Sequence, residues 1–185
     1  MADMVQLPPP GSFLDPQRLI SALGIVQGMH VADLGCGSGF FPSAFARAVG
    51  TDGVVTAVDV RQEPLDAVSA RAEAAGMKNI SVVRADLEVL GGTKIPDDSQ
   101  DVSFLANVLF QSQKKDAIIK EAARILKPGG HLALIEWKKG VQGFGPPDEL
   151  RTAEEDLRAL ATQAGLRPDR TIDAGSFHVG MLFTK

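Results

Sequence analysis

The chain has 185 residues, 44% of them hydrophobic and 23% charged, with a formal net charge of −4. That balance excludes global disorder, and the length fits one domain spanning 1–185 with an ordinary buried core. The acidic balance argues against a protein that coats nucleic acid. Nine Phe, one Trp and no Tyr make that core mostly aliphatic, and the single Cys36 excludes a disulfide framework and a multi-cysteine metal site. No metal centre is expected. The N-terminus lacks the basic start and apolar run of a secretory signal, and no stretch approaches the roughly 18 apolar residues of a membrane span. A cytoplasmic protein without membrane contact is the expectation.

In chain order, Pro8-Pro9-Pro10-Gly11 reads as a stiff lead-in. Asp15-Pro16 caps a helix over 15–23, whose Leu19, Ile20 and Leu23 share a face and which Gly24 ends. Val31-Ala32-Asp33-Leu34 reads as a strand running into Gly35-Cys36-Gly37-Ser38-Gly39. Phe41, Phe45, Ala48 and Val49 follow at helical spacing. A second strand over 54–58 ends at Asp59, and a helix over 63–75 carries Leu65, Val68 and Ala72 on one face. A third strand, 80–84, closes at Ala85-Asp86, and a fourth covers 102–105.

A helix over 114–126 is read as stopped by Pro128-Gly129-Gly130, with a fifth strand at 132–136. Thr152 and Glu155 have capping-box spacing before a helix carrying Leu157, Leu160 and Ala164. The tail, 166–172 and 177–183 around a turn at Ala174-Gly175-Ser176, is too short for a parallel crossover and must pair antiparallel. The fold expected is α/β: a Rossmann-like, seven-stranded, mostly parallel sheet with an antiparallel last strand and helices on both faces.

In such sheets a ligand sits at the carboxyl ends of the strands, where strand order reverses. Gly35, Gly37 and Gly39 allow a sharp turn and close backbone approach there. Phe40 stands where a dinucleotide fingerprint wants its third glycine, and no Gly-Lys-Ser/Thr follows, so neither that site nor a P-loop is matched. Asp59, at the end of the second strand, suits ribose hydroxyls, and Asp86, after the third, suits an adenine amino group. Asp33 sits under the loop. An acid-lined rim with no cation in its glycine loop suits a positively charged nucleoside better than a pyrophosphate.

The run from Val31 to Gly39 resembles motif I of the class I S-adenosylmethionine-dependent methyltransferases. Asp59, Ala85-Asp86-Leu87, the Asp101 to Phe110 segment and Leu126-Lys127-Pro128-Gly129-Gly130 resemble its later motifs, and the terminal hairpin its antiparallel seventh strand. Within the family the chain is most similar to small single-domain enzymes of the ubiquinone/menaquinone-biosynthesis and arsenite methyltransferase type. The resemblance implies S-adenosylmethionine as cofactor and S-adenosylhomocysteine as product. It implies that Gly35, Gly37 and Gly39 pass under the methionine and ribose, with Cys36 an ordinary member of the motif. It places Asp33 near the methionine amino group, Asp59 on the ribose, Val60 and Leu87 around the adenine, and Asp86 at its amino group. Asn107 would face the methionine portion and the incoming acceptor.

Each residue also has a plainer reading. The glycines and Asp59 would serve a tight turn and a helix cap, Asp33 would brace the loop, and Cys36 would pack. The arsenite branch uses several cysteines, so one alone counts against that substrate. Ala106-Asn107-Val108-Leu109-Phe110 lacks the Asp/Asn-Pro-Pro-aromatic signature of base-amino methylation. His30 and His131 fall at the opposite rim, solvated. His178 alternates off the core face of the last strand, where it is either a half-exposed strand histidine or a catalytic base. Trp137, Lys138, Lys139, Lys114 and Lys115 fall at the ligand-side rim, a solvated face or a seat for an anionic acceptor. Two segments are expected to cover the cofactor: 7–23, within an N-terminal lid and helix at 1–24, and 137–150. The expected activity is methyl transfer to a small-molecule acceptor by proximity. Methylation of RNA or protein, a nicotinamide-dependent oxidoreductase and a non-catalytic binding module are the alternatives.

Overall fold

The computed structural model describes residues 14–185. The Pro8–Gly11 lead-in and the 7–13 part of the expected cover lie outside them. The elements in order are α1 (Pro16–Leu23), β1 (His30–Leu34), α2 (Pro42–Val49), β2 (Val54–Asp59), α3 (Gln62–Ala74), β3 (Ile80–Arg84), β4 (Gln100–Ala106), α4 (Lys115–Ile125), β5 (Leu126–Trp137), α5 (Glu154–Gln163), β6 (Arg167–Ile172) and β7 (His178–Thr184). They build one seven-stranded sheet in the order β3-β2-β1-β4-β5-β7-β6. Strands β1 to β5 pair in parallel, while β7 runs antiparallel between β5 and β6. The order reverses between β1 and β4, which makes their carboxyl ends the switch point.

Side-chain alternation splits the sheet between two cores. Leu19 and Ile20 of α1 and Phe45 and Val49 of α2 pack with Val31, Phe104 and Ile135 on one face. Ile118 and Ile119 of α4 and Leu157 of α5 pack with Leu34, Leu134 and Phe183 on the other. Leu65 and Val68 of α3 cover Ala57 and Cys36. Phe45 is fully buried, its ring 5.0 Å from Phe104 and 5.7 Å from Phe41. Burial of such a side chain stabilises by about 1.5–3 kcal/mol. None of the helices in the described residues is long and apolar enough to cross a membrane.

Helix α1 forms as its sequence requires: Asp15 Oδ1 accepts from the Gln17 amide at 2.9 Å, and Gly24 leaves the helix at φ 66°. Its buried Leu19, Ile20 and Leu23 pack it into the core. Two expectations are corrected. Pro128-Gly129-Gly130 does not separate a helix from a strand: β5 already begins at Leu126, opposite Gln100, and takes the turn-like triplet as an irregularity in its register. The Thr152–Glu155 capping box does not form. The cap of α5 is Ala153, without a side-chain bond, and Glu154, Glu155 and Asp156 fill the first turn, where the helix dipole favours acids.

Candidate active site

A cavity of about 490 Å³ lies at the carboxyl ends of β1, β2, β3 and β4. Its floor is the glycine loop after β1, tied to β2 by the Gly35 and Cys36 amides, which donate to the Val58 carbonyl at 2.8 and 2.9 Å. From α3, Arg71 Nη1 donates to the Ser38 and Gly39 carbonyls at 3.0 and 2.6 Å. The glycines do different jobs. A Cβ on Gly39 would stand 2.5 Å from Val68 Cγ2, and Gly39 does not line the cavity, so close packing on α3 is its role. Gly37, at φ 50°, lines the cavity, and a Cβ there would meet nothing.

Asp59 is buried. Its Oδ2 accepts from the Gly37 amide at 3.1 Å and its Oδ1 from the Arg61 amide at 2.9 Å. Oδ1 also accepts from Arg61 Nε at 3.4 Å, and Oδ2 keeps a further lone pair for a ligand hydroxyl. Asp33, 2% exposed, reaches the cavity with an Oδ2 that has no hydrogen-bond partner. Burial, helped by the charge of Asp59, pushes its carboxyl up to about 8. Exposed Val60, buried Leu87 and exposed Asp86 line the adjoining wall, where Asp86 Oδ1 accepts from the Glu88 amide at 2.9 Å. Ser112 Oγ, from the segment before α4, donates to Glu88 Oε1 at 2.6 Å and so ties two walls together.

Asn107 follows β4 in a left-handed conformation, φ 59°, and its Oδ1 is buried with no hydrogen-bond partner. Cys36 also lines the cavity. Burial first, then Asp33 and Asp59, push its thiol up to about 12, which disfavours the thiolate a nucleophile needs. Among the described residues no group of three or more His, Cys, Asp and Glu could hold a metal ion.

The structure leaves His178 out of this cavity. Both faces of β7 are buried: His178 is 1% exposed and lies against the Trp137 ring, centroids 4.2 Å apart. Burial, with Lys138 and Arg151 nearby, lowers its imidazole to about 4 and holds it neutral. It is a packed core histidine. The rim lysines are not gathered on the cavity either. Lys114 pairs with Glu88 at 3.3 Å, Lys138 Nζ donates to the Gly175 carbonyl at 3.3 Å, and Lys139 Nζ to that of Arg151 at 3.4 Å. His30 and His131 are half-buried. The His30 amide donates to Asp101, and His131 Nδ1 lies 3.2 Å from Thr184 Oγ1.

The 137–150 segment does not line the cavity. It is folded around buried Arg151, whose guanidinium donates to the carbonyls of Lys138, Val141, Phe144 and Pro146 at 2.5–2.9 Å. Arg151, Arg71 and Glu136 all escape a sequence reading, because their partners are backbone groups elsewhere in the chain. The signal for Glu136 is a carboxylate closing a run of apolar strand residues that have no exposed face.

The cavity presents the Asp33, Asn107, Asp59 and Asp86 oxygens as acceptors, beside Arg61, whose Nε is paired with Asp59. A ligand rich in donors fits these acceptors. A family model described as a methyltransferase domain matches residues 31–130. The chain belongs to that family, within the class I S-adenosylmethionine-dependent methyltransferases, and S-adenosylmethionine is the cofactor of the class.

The chain is similar to a solved S-adenosylmethionine-dependent methyltransferase from Aquifex aeolicus: 28% identity, TM-score 0.87, covering 96% of this chain and 93% of that one. It is 37% identical over 115 residues to an arsenite methyltransferase of Aquipseudomonas alcaligenes, covering 60% of this chain and 33% of that protein. It is 30% identical over 162 residues to a ubiquinone/menaquinone biosynthesis C-methyltransferase of Shewanella sp. strain W3-18-1, covering 87% of this chain and 61% of that protein. The chain thus spans between a third and about three fifths of these curated relatives.

Proposed function

We propose that this chain transfers the methyl group of S-adenosylmethionine to a small-molecule acceptor by in-line displacement. The observation that carries the reading is the convergence of Asp33, Gly37, Asp59, Asp86 and Asn107 on one cavity at the switch point of the sheet. When bound, the cofactor supplies a methyl group on a positively charged sulfur, already activated toward a nucleophile. What is left to the protein is binding and orientation, which together are worth up to about 7–11 kcal/mol.

In this reading Asp59 accepts from the ribose hydroxyls while still holding the Gly37 amide. Asp33 Oδ2 takes the amino group of the cofactor's tail. Val60 and Leu87 offer apolar surface to the adenine, and Asp86 accepts from its amino group. Asn107 stands where the tail and the acceptor meet. His178 does not line the cavity, and this reading gives it no role.

The names of two relatives, an arsenite methyltransferase and a quinone-pathway C-methyltransferase, support a small acceptor. Arsenite itself is disfavoured, because a soft metalloid wants several sulfur ligands and the sequence offers one cysteine, Cys36. The test is transfer of tritium from methyl-labelled cofactor into a bacterial extract separated into small molecules, tRNA and protein. Label in the small-molecule fraction, lost in Asp59→Ala, is expected. Label entering tRNA or protein instead would contradict the small-acceptor reading.

A further inference from the structure

We propose that Glu136 is the positioning residue for the turn carrying Asn107, and that through this turn it sets the affinity for the amino-acid tail of the cofactor. The inference rests on the cofactor reading above and concerns a side chain that does not line the cavity.

Glu136 is 2% exposed, near the end of β5. Its Oε1 accepts from the Val108 amide at 2.8 Å and the Leu109 amide at 2.7 Å. The residue before it completes the clamp: the Asn107 amide donates to the Ile135 carbonyl at 2.9 Å. Three consecutive amides leaving β4 are therefore held by two consecutive residues of β5. Asn107 opens this clamp in a left-handed conformation, φ 59°, which its held amide and those of the next two residues fix in place. Asn107 lines the cavity, and its Oδ1 is buried without a hydrogen-bond partner.

The clamp also reaches the opposite wall. Val108, whose amide Glu136 holds, packs so closely on Gly35 that a Cβ there would come within 2.6 Å of Val108 Cγ2. Movement of the turn would disturb both the Asn107 oxygen and the glycine loop, the two parts of the cavity assigned to the tail. The adenine wall at Val60, Asp86 and Leu87 is built on β2 and β3 and shares no hydrogen bond with Glu136. A buried carboxylate is an expensive way to satisfy two amides. Burial pushes the Glu136 carboxyl up to about 7, and its Oε1 can accept from both amides whether or not Oε2 carries the proton.

The test is calorimetric titration of wild type, Glu136→Ala, Glu136→Asp and Glu136→Gln with S-adenosylhomocysteine and with 5′-methylthioadenosine, which keeps the nucleoside and sulfur but lacks the tail. Loss of the two bonds in Glu136→Ala is expected to weaken S-adenosylhomocysteine roughly tenfold or more and methylthioadenosine by less than about twofold. Glu136→Asp, one methylene short, is expected to show the same selective loss and serves if the alanine variant does not fold. Glu136→Gln, whose amide oxygen can accept both bonds, is expected to restore most of the affinity. Unchanged S-adenosylhomocysteine affinity in the Ala and Asp variants would overturn the proposal. So would an equal loss of both ligands, the mark of a merely structural residue. Failure of wild type to bind either ligand would instead overturn the cofactor reading.

Discussion

Val108 and Gly35 meet across the floor of the cavity so closely that a Cβ at position 35 would stand 2.6 Å from Val108 Cγ2 and 3.6 Å from Val108 Cβ. The glycine loop and the turn after β4 therefore have one joint position. Gly35 is at φ 81°, so any other residue is also strained there.

Gly35→Ala is accordingly expected to lower stability by about 1–3 kcal/mol, since Val108 is stiff and its amide is held by Glu136. Gly37→Ala meets open space and carries only the backbone strain, about 1–2 kcal/mol. Its larger effect is expected in ligand affinity. Denaturant midpoints and S-adenosylhomocysteine titrations of the two variants check this, and the same ratio of the two losses in both would contradict it.

Asp59 serves the loop and the ligand together. Asp59→Ala is expected to weaken S-adenosylhomocysteine by about 3 kcal/mol, roughly a hundredfold, through lost charge-assisted bonds. Asp59→Asn, which keeps an acceptor for the Gly37 amide, is expected to lose less. Calorimetry on both decides, and unchanged affinity in Asp59→Ala would remove Asp59 from the site.

With Asp33 on the cofactor's amino group, as proposed, binding is expected to depend on pH. Its carboxyl is raised from 3.8 to about 8 by burial and then by Asp59. Between those values the free native protein holds a proton that the unfolded chain has lost. The group's contribution to stability is thus full below about pH 4 and is lost as pH rises through about 8. A cationic amino group favours the carboxylate, so binding near pH 7 is expected to release a proton and to strengthen as pH rises toward 8. Titrations in two buffers of different ionisation enthalpy measure that proton. Asp33→Asn should abolish the release, and wild type showing none would contradict the assignment.

Arg151 organises the 138–147 segment by donating to four carbonyls, and its guanidinium lies 5.8 Å from the centroid of the Trp137 ring. Arg151→Ala leaves those carbonyls unpaired and is expected to destabilise by about 2–4 kcal/mol. The fluorescence of Trp137, the single tryptophan, should shift to the red. S-adenosylhomocysteine affinity should stay within about twofold, because this segment does not line the cavity. An unchanged melting temperature and spectrum would show that the segment does not depend on Arg151.

Much of this was legible in the sequence, because it depends on neighbours. Strand and helix periods, the cap at Asp15, the terminal hairpin and the acids at strand ends all follow from local spacing. What was illegible depends on distant partners. Alternation put His178 on an outer face, yet β7 is an interior strand with two covered faces. Pro128-Gly129-Gly130 carries the chemistry of a stop, yet pairing with β4 keeps it in a strand. Local spacing spoke for a cap at Thr152, but the helix starts later. Arg71 closes on the glycine loop 32 and 33 residues away, and Glu136 on amides 27 and 28 residues away, which no local pattern announces.

The central claim is that this cavity holds the methyl donor. Titration of the purified chain with S-adenosylhomocysteine, with NADH as the comparison, tests it most directly. Micromolar binding of S-adenosylhomocysteine alone, weakened roughly a hundredfold by Asp59→Ala, is the expected result. Binding of NADH in its place, or of neither, would contradict the account.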